Sequence, residues 1–294
     1  MFERYINALK FRLYRGDKLN AHRFYMATNK KLDLENPKTW SEKLLWLNKY
    51  WQPKIKALCA DKYKVRDFII EKGYSETLVP LLGYWKDARD IDFSKLPKRF
   101  VLKCNHGCRM NILVEDKSKL DIKSTIKTLN KWMNIDYSKV TPEYHYHYID
   151  RYIICEEFLP VDHSFEIVDF KIHCFNGVPK WIGLCYERDY TTGHPKEMIM
   201  SPEWDRLMYL KSDYPDDGKH MDKPEKLEAM VEMACNLSKD FPYVRVDLYY
   251  IKGNIYFGEL TFTPSGCLPA GGYIEEVDIK AGEYLNLNTI KCDN

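Results

Sequence analysis

The sequence predicts an α+β fold built on antiparallel sheets, and three observations carry that expectation. Apolar residues recur at helical spacing in several segments, among them 41–51, 117–136 and 225–239. Two pairs of apolar runs flank tight turns, at Asn176-Gly177 and at Lys252-Gly253-Asn254, and so read as hairpins. No strand–helix–strand repeat, internal repeat or low-complexity tract is visible, which argues against a parallel, doubly wound sheet.

Taken in order, residues 1–58 read as mostly helical, with a break at Asn36-Pro37-Lys38-Thr39 and a new start at Ser41. Glu42 suits a first helical turn, and Leu44, Leu45, Leu47 and Trp51 supply an apolar face. A helix over Asp61–Lys72 ends at Gly73, and residues 77–85 then read as a strand. Arg99–Cys104 is a short apolar run suited to a buried strand, followed by an Asn105-His106-Gly107 loop and a hairpin partner at Ile112–Val114. Residues 117–136 form the next helix, with Leu120, Ile122, Ile126 and Leu129 on its apolar face. Strands follow at 152–159, 168–175 and 180–185. The polar stretch 189–224 is expected to be a mobile or substrate-facing loop, 225–239 an amphipathic helix, and 243–250 with 254–261 the final hairpin.

Composition bounds the function. The chain has 294 residues, with 45 Lys+Arg against 43 Asp+Glu, and that near balance argues against nucleic acid as a partner. Its nine cysteines are odd in number and form no Cys-x-x-Cys pair, so neither a disulfide framework nor a structural zinc site is expected; a reduced, cytoplasmic protein is. No apolar run reaches the length of a membrane span or a signal segment. Residues 1–31 stand apart: eight basic residues against two acidic ones leave +6, and Phe2, Ile6, Leu9 and Leu13 recur at helical spacing. Such a helix either packs one face on the body, the favoured reading, or makes peripheral contact with an anionic membrane at its inner face.

The chemistry concentrates in Val244–Tyr250 and Ile255–Gly266. Alternation puts Arg245, Asp247 and Tyr249 on one face of the first strand and Phe257, Glu259 and Thr261 on one face of the second. A turn near 253 sets Asp247 opposite Glu259. Two facing carboxylates with no basic partner repel unless a cation lies between them, and Mg²⁺ serves where phosphate is also present. Further elements are Lys103 at the end of an apolar strand before Asn105-His106-Gly107, the shared face of Asp169, Lys171 and His173, and Asp61-Lys62.

In this order these segments resemble the ATP-grasp superfamily, and among its branches the TupA-like proteins of bacterial surface-polysaccharide biosynthesis. The matching stretches are Trp40–Leu44, Ala60–Arg66, Leu96–Gly107, Asp169–Lys171 with Cys174–Gly177, and Phe241–Leu248 through Gly258–Pro264. The resemblance implies two α+β lobes with ATP between them, here 59–155 and 156–294, behind a helical N-terminal region 1–58. It implies that Lys62 and Lys103, with the His106-Gly107 loop, hold the phosphates. Glu156, Glu157 and Leu159 border the adenine, Asp169 lies near the ribose, and Lys171 reaches the phosphates as a catalytic group. Asp247, Glu259 and Thr261 bind Mg²⁺; Thr261 stands where many ATP-grasp ligases carry Asn. Arg245 matches an arginine that stabilises an acyl-phosphate and the oxyanion that follows it, a role judged stronger than a salt bridge to a neighbouring acid.

The implied activity is an ATP- and Mg²⁺-dependent carboxylate–amine ligase acting through an acyl-phosphate, with a small-molecule acid and an amine or saccharide acceptor. One departure stands in the phosphate loop, where Cys108-Arg109-Met110 replaces small residues. It keeps open a non-catalytic nucleotide-binding role. A glycosyltransferase is the other rival, on Asp90-Ile91-Asp92, although that pair sits in a charged connector where a solvated turn is the simpler reading.

Overall fold

A computed structural model describes residues 16–159, 167–187, 195–211, 219–268 and 272–290. Four helices open this part of the chain: α1 (Gly16–Thr28), α2 (Trp40–Tyr50), α3 (Lys54–Ala60) and α4 (Val65–Glu71). Helix α2 starts one residue earlier than its sequence suggests because Thr39 caps it: the Thr39 hydroxyl accepts from the Glu42 amide while the Glu42 carboxylate reaches back to the Thr39 amide. The helix expected from Asp61 begins only at Val65. Asp61 instead ends α3 and accepts from the amides of Tyr63 and Lys64, which tightens the turn between the two helices.

Four strands then form a small sheet in the order β1-β4-β2-β3: β1 (Leu81–Trp85), β2 (Phe100–Cys104), β3 (Asn111–Val114) and β4 (Ile153–Glu157). All its pairings are antiparallel. Helix α5 (Ile122–Met133) covers one face; it is shorter than its apolar pattern because Asp116 and Asp121 each accept from the amide two or three residues on, making separate starts.

A five-stranded antiparallel sheet follows, in the order β7-β6-β5-β8-β9, from β5 (Asp169–Phe175), β6 (Val178–Tyr186), β7 (Lys196–Met200), β8 (Tyr243–Ile251) and β9 (Asn254–Thr261). Helices α6 (Leu227–Ser238) and α7 (Glu275–Glu283) complete it. Both expected hairpins, β5-β6 and β8-β9, are present. Two elements go beyond the sequence reading. Lys196–Met200, assigned to a loop, pairs with β6 as an edge strand whose Met198, Ile199 and Met200 are buried. Helix α7, read as no element at all, docks on α2, where Asp278 accepts from the Ser41 amide and hydroxyl at 2.8 and 2.7 Å.

Two cores result, and they do not follow the expected division at 58/59 and 155/156. The small sheet packs with α5 and the Ala88–Leu96 connector around Phe100, Leu102 and Leu129. The larger core joins the five-stranded sheet to α2, α3, α4 and α6, so that Leu45, Phe68 and Ile69 pack with Trp181, Tyr243 and Val246. Val65–Glu71, expected in the first lobe, thus packs with the second sheet, and β4 runs across the 155/156 boundary. Among the described residues no helix is long and apolar enough to cross a membrane. Phe2, Ile6, Leu9 and Leu13 lie outside the described residues.

Candidate active site

The cleft between the two sheets has a volume of about 2140 Å³, and every expected site residue lines it except His106. Its floor is the outer face of the five-stranded sheet. Strand pairing sets Lys171 beside Asp247, and Asp247 beside Glu259, so the alternation predicted for β5, β8 and β9 converges on one patch. A bulge follows: Leu248 pairs with Phe257, leaving Gly258 as the extra residue. Phe257 was expected to share the face of Glu259, but the bulge pairs it with the core residue Leu248, and it is buried there.

The carboxylates on this patch have basic partners already, contrary to the expectation of two bare acids. Arg245 forks onto Asp247, with Nε and Nη2 each 2.6 Å from a carboxylate oxygen, and Nη2 also donates to the Thr261 hydroxyl at 3.2 Å. The salt bridge ranked below a catalytic role for Arg245 is therefore present, in bidentate form. Lys62 Nζ lies 3.4 Å from Glu259 Oε2, and Lys171 Nζ bridges Asp169 and Asp247 at 3.2 and 3.4 Å. Thr261 donates to Glu259 Oε1 at 2.9 Å. Burial resists ionisation of Glu259, but Lys62, Arg245 and Lys171 outweigh it and hold the carboxyl down to about 2. Burial likewise disfavours the charged Lys171, Lys62 and Arg245, yet the facing carboxylates raise all three above their ordinary values.

The opposite wall is built from buried polar bonds. Asn105 donates through Nδ2 to Asp61 Oδ1 at 2.7 Å and to the Asp150 carbonyl at 2.8 Å, and accepts from the Tyr152 amide at 2.8 Å. Burial pushes the Asp61 carboxyl up, against the pull of these donors. This pair fixes the turn from which Lys62 projects, and Lys62 Nζ then donates to the Gly107 carbonyl at 3.1 Å. Lys103 extends from β2 to Glu156 at 2.6 Å, and Glu156 also accepts from Arg66 at 3.3 Å. Glu156, expected at the adenine, thus has both oxygens engaged and acts on Lys103; Arg66, which the sequence reading passed over, lines the cleft beside it. Glu157 and Leu159 also line the cleft there.

His106 does not belong to the site. It is 1 % exposed and does not line the cleft, and burial, with the nearby Arg151 charge, pushes its pKa down to about 4. Gly107 is required by packing, since a Cβ there would lie 2.7 Å from the Tyr137 ring. In the divergent loop Met110 is buried, while Arg109 adopts φ 57° and is exposed to the cleft. Other cleft residues that the reading missed are Glu143 and Tyr146, from an irregular segment without periodicity, and Glu197, on the unforeseen strand β7. Asp90 and Asp92 do not line the cleft; Asp92 caps a short turn by accepting from the Ser94 amide.

Two antiparallel sheets enclosing a cleft, with lysines on one wall and paired carboxylates on the other, define an ATP-grasp protein. Residues 42–285 match the TupA-like ATPgrasp family, and the chain belongs to it. No curated protein matches. Among solved structures it is similar to the D-alanine–D-alanine ligase of Bacillus anthracis, at 16% identity over 77% of this chain and 62% of that one, with a TM-score of 0.46. The ligase of Helicobacter pylori matches at 15%, 78%, 62% and 0.46, and the D-alanyl-alanine synthetase A of Vibrio cholerae at 11%, 79%, 64% and 0.47. This chain thus spans less than two thirds of the length of each.

Proposed function

We propose that this protein is an ATP- and Mg²⁺-dependent carboxylate–amine ligase. The observation that carries the reading is the convergence of Lys62, Lys103, Lys171 and Arg245 with Asp169, Asp247 and Glu259 on one cleft. Phosphoryl transfer from ATP to a carboxylate would give ADP and an acyl-phosphate, and attack by an amine would release phosphate and form the amide.

Lys62, Lys103 and Lys171 would donate to polyphosphate oxygens from both walls. Glu157 and Leu159 would border the base, and Asp169 the ribose. Asp247, Glu259 and the Thr261 hydroxyl fit a hard cation: they are oxygen donors on directly paired strands, and Glu259 stays ionised across the neutral range. They would hold Mg²⁺, which when bound would screen the charge of the transferring phosphoryl group. Arg245, with two nitrogens fixed by Asp247, would present its guanidinium to the oxyanion without rearranging.

The acid or the amine is proposed to belong to a surface polysaccharide or its precursor, on the sequence resemblance described above. The basic residues of 1–31 other than Arg23 would give contact with an anionic membrane; sedimentation with anionic liposomes tests this, and failure to sediment at low salt removes it. The reaction is tested by measuring ADP release with acids alone, amines alone and both together, with the adduct identified by mass. Release that requires both supports the ligase, and release indifferent to every carboxylate overturns it.

A further inference from the structure

Helix α1, which lies outside residues 42–285, also contributes to the cleft wall. Arg23 of α1 lines it together with Thr141, Glu143, Thr263, Ser265 and Gly266. Arg23 is an unusual lining residue. Its Nη1 is buried and has no hydrogen-bond partner among the described residues. An unsatisfied buried guanidinium nitrogen is costly, and such groups in a cleft wall point to a missing partner.

The surroundings hold the guanidinium in place while leaving Nη1 without a hydrogen bond among the described residues. Gly266 packs against it so closely that a Cβ would lie 2.9 Å from Nη2. The turn that allows this approach places three successive residues in the left-handed region, Ser265 at φ 52°, Gly266 at 65° and Cys267 at 62°. Two of these carry side chains, so the turn stores strain of the kind found at ligand sites. Glu143 is the acid whose charge reaches Arg23, but its two oxygens accept from the Thr141 and Thr263 hydroxyls. Burial pushes its carboxyl up, while the two hydroxyls and the Arg23 charge pull the other way.

We propose that Arg23 and the Ser265–Gly266 turn form a receptor for an anionic group, a carboxylate or a phosphate, carried by the acceptor substrate, so that helix α1 completes the cleft and selects acidic acceptors. This rests on the ligase reading for the word acceptor; the receptor itself does not. The planar fork of arginine suits either anion, and Ser265, which also lines the cleft, carries a hydroxyl that can donate. Thr261, Thr263, Asp247 and Glu259 line the same cleft, so an acidic acceptor held there shares it with them.

Calorimetric titration of the full chain with D-glucuronate, glucose 6-phosphate and glucose tests it, because the three share a ring and differ in the anion. At least one acidic probe should bind ten- to hundredfold more tightly than glucose, the scale of a charged hydrogen bond, and Arg23→Gln should abolish that preference while ADP affinity stays unchanged. Which acid wins separates carboxylate from phosphate. In wild-type protein the Arg23 side-chain NMR signal should shift with the acidic probe and not with glucose, which guards against a misfolded variant. The proposal is overturned if neither acid binds better than glucose, if Arg23→Gln keeps the preference, or if that signal stays still. ADP binding and release are scored separately, so a protein that binds the acid through Arg23 but forms no ADP with acid plus amine would keep the receptor and lose the ligase reading.

Discussion

The two walls of the cleft hold their charges in different ways. On the five-stranded sheet, Lys171, Asp247 and Glu259 stand at neighbouring register positions of three paired strands, so the backbone ladder itself brings them together. On the other wall, Lys62 leaves a turn between two short helices and depends on one buried Asp61–Asn105 bond and its amide contacts. The sheet patch is internally compensated, cation against carboxylate; on the lysine wall Glu156 likewise holds Lys103 and Arg66, whereas Lys62 reaches across the cleft to Glu259. A charge placed by strand register should be hard to misplace and costly to remove. One placed by a loop should be easy to misplace at little cost in stability.

Asp247→Asn gives the largest effect. It removes a proposed ligand for Mg²⁺, and it also strips the bidentate partner from a buried Arg245, where side-chain exposures are 8% and 14%. Breaking a buried pair on one side costs about 3–5 kcal/mol. Turnover should vanish and the unfolding temperature should drop by many degrees, both readable in one preparation. A variant as stable as wild type would show that the sheet wall is not the stiffer of the two.

Arg245→Met comes next. Loss of one oxyanion donor should lower amide formation by about 10²–10³, with ADP affinity largely kept. If nucleotide affinity falls as far as amide formation does, the arginine serves only to hold the carboxylates.

Asn105→Ala probes the other wall without touching the cleft. Its loss frees the 61–64 turn, so Lys62 should wander and ATP affinity should fall about tenfold, the scale of one charge-assisted contact. Calorimetry measures it, with Lys62→Ala as the reference; equal affinities in the two variants would confirm that Asn105 acts through the lysine.

The same difference explains what the sequence disclosed. The facing of Asp247 and Glu259 was legible because a period of two and one tight turn determine it, and β5 followed from the same rule. What the rule missed was the bulge at Gly258, since an inserted residue leaves alternation intact on either side of it. Strand β7 was hidden because the charged and polar residues around it outweigh its three apolar side chains, and its pairing comes from β6. On the lysine wall, Asp61, Asn105 and Glu156 were visible as residue types, but their roles come from contacts between 44 and 90 positions apart in the chain. His106 and Gly107 resembled a ligand loop, and only packing reveals that one is buried and the other makes room for Tyr137.

The smallest expected effect concerns pH. Glu259 has its carboxyl held down to about 2 in the fold against 4.5 ordinarily, because Lys62, Arg245 and Lys171 overcome burial. A depressed carboxyl binds fewer protons folded than unfolded, so its contribution is present in full above about pH 4.5 and is lost as pH falls toward 2. Glu259→Gln should therefore flatten the acid limb of the stability curve between those values while leaving its neutral plateau lower than that of wild type. The change is modest, since the side chain is 34% exposed and solvent screens part of the attraction. Denaturant titrations at a series of pH values would resolve it. If the variant lost stability in acid as steeply as wild type, the three cations would not be acting on Glu259, and the charge compensation assigned to the sheet wall would reduce to Asp247 and Asp169 with Arg245 and Lys171.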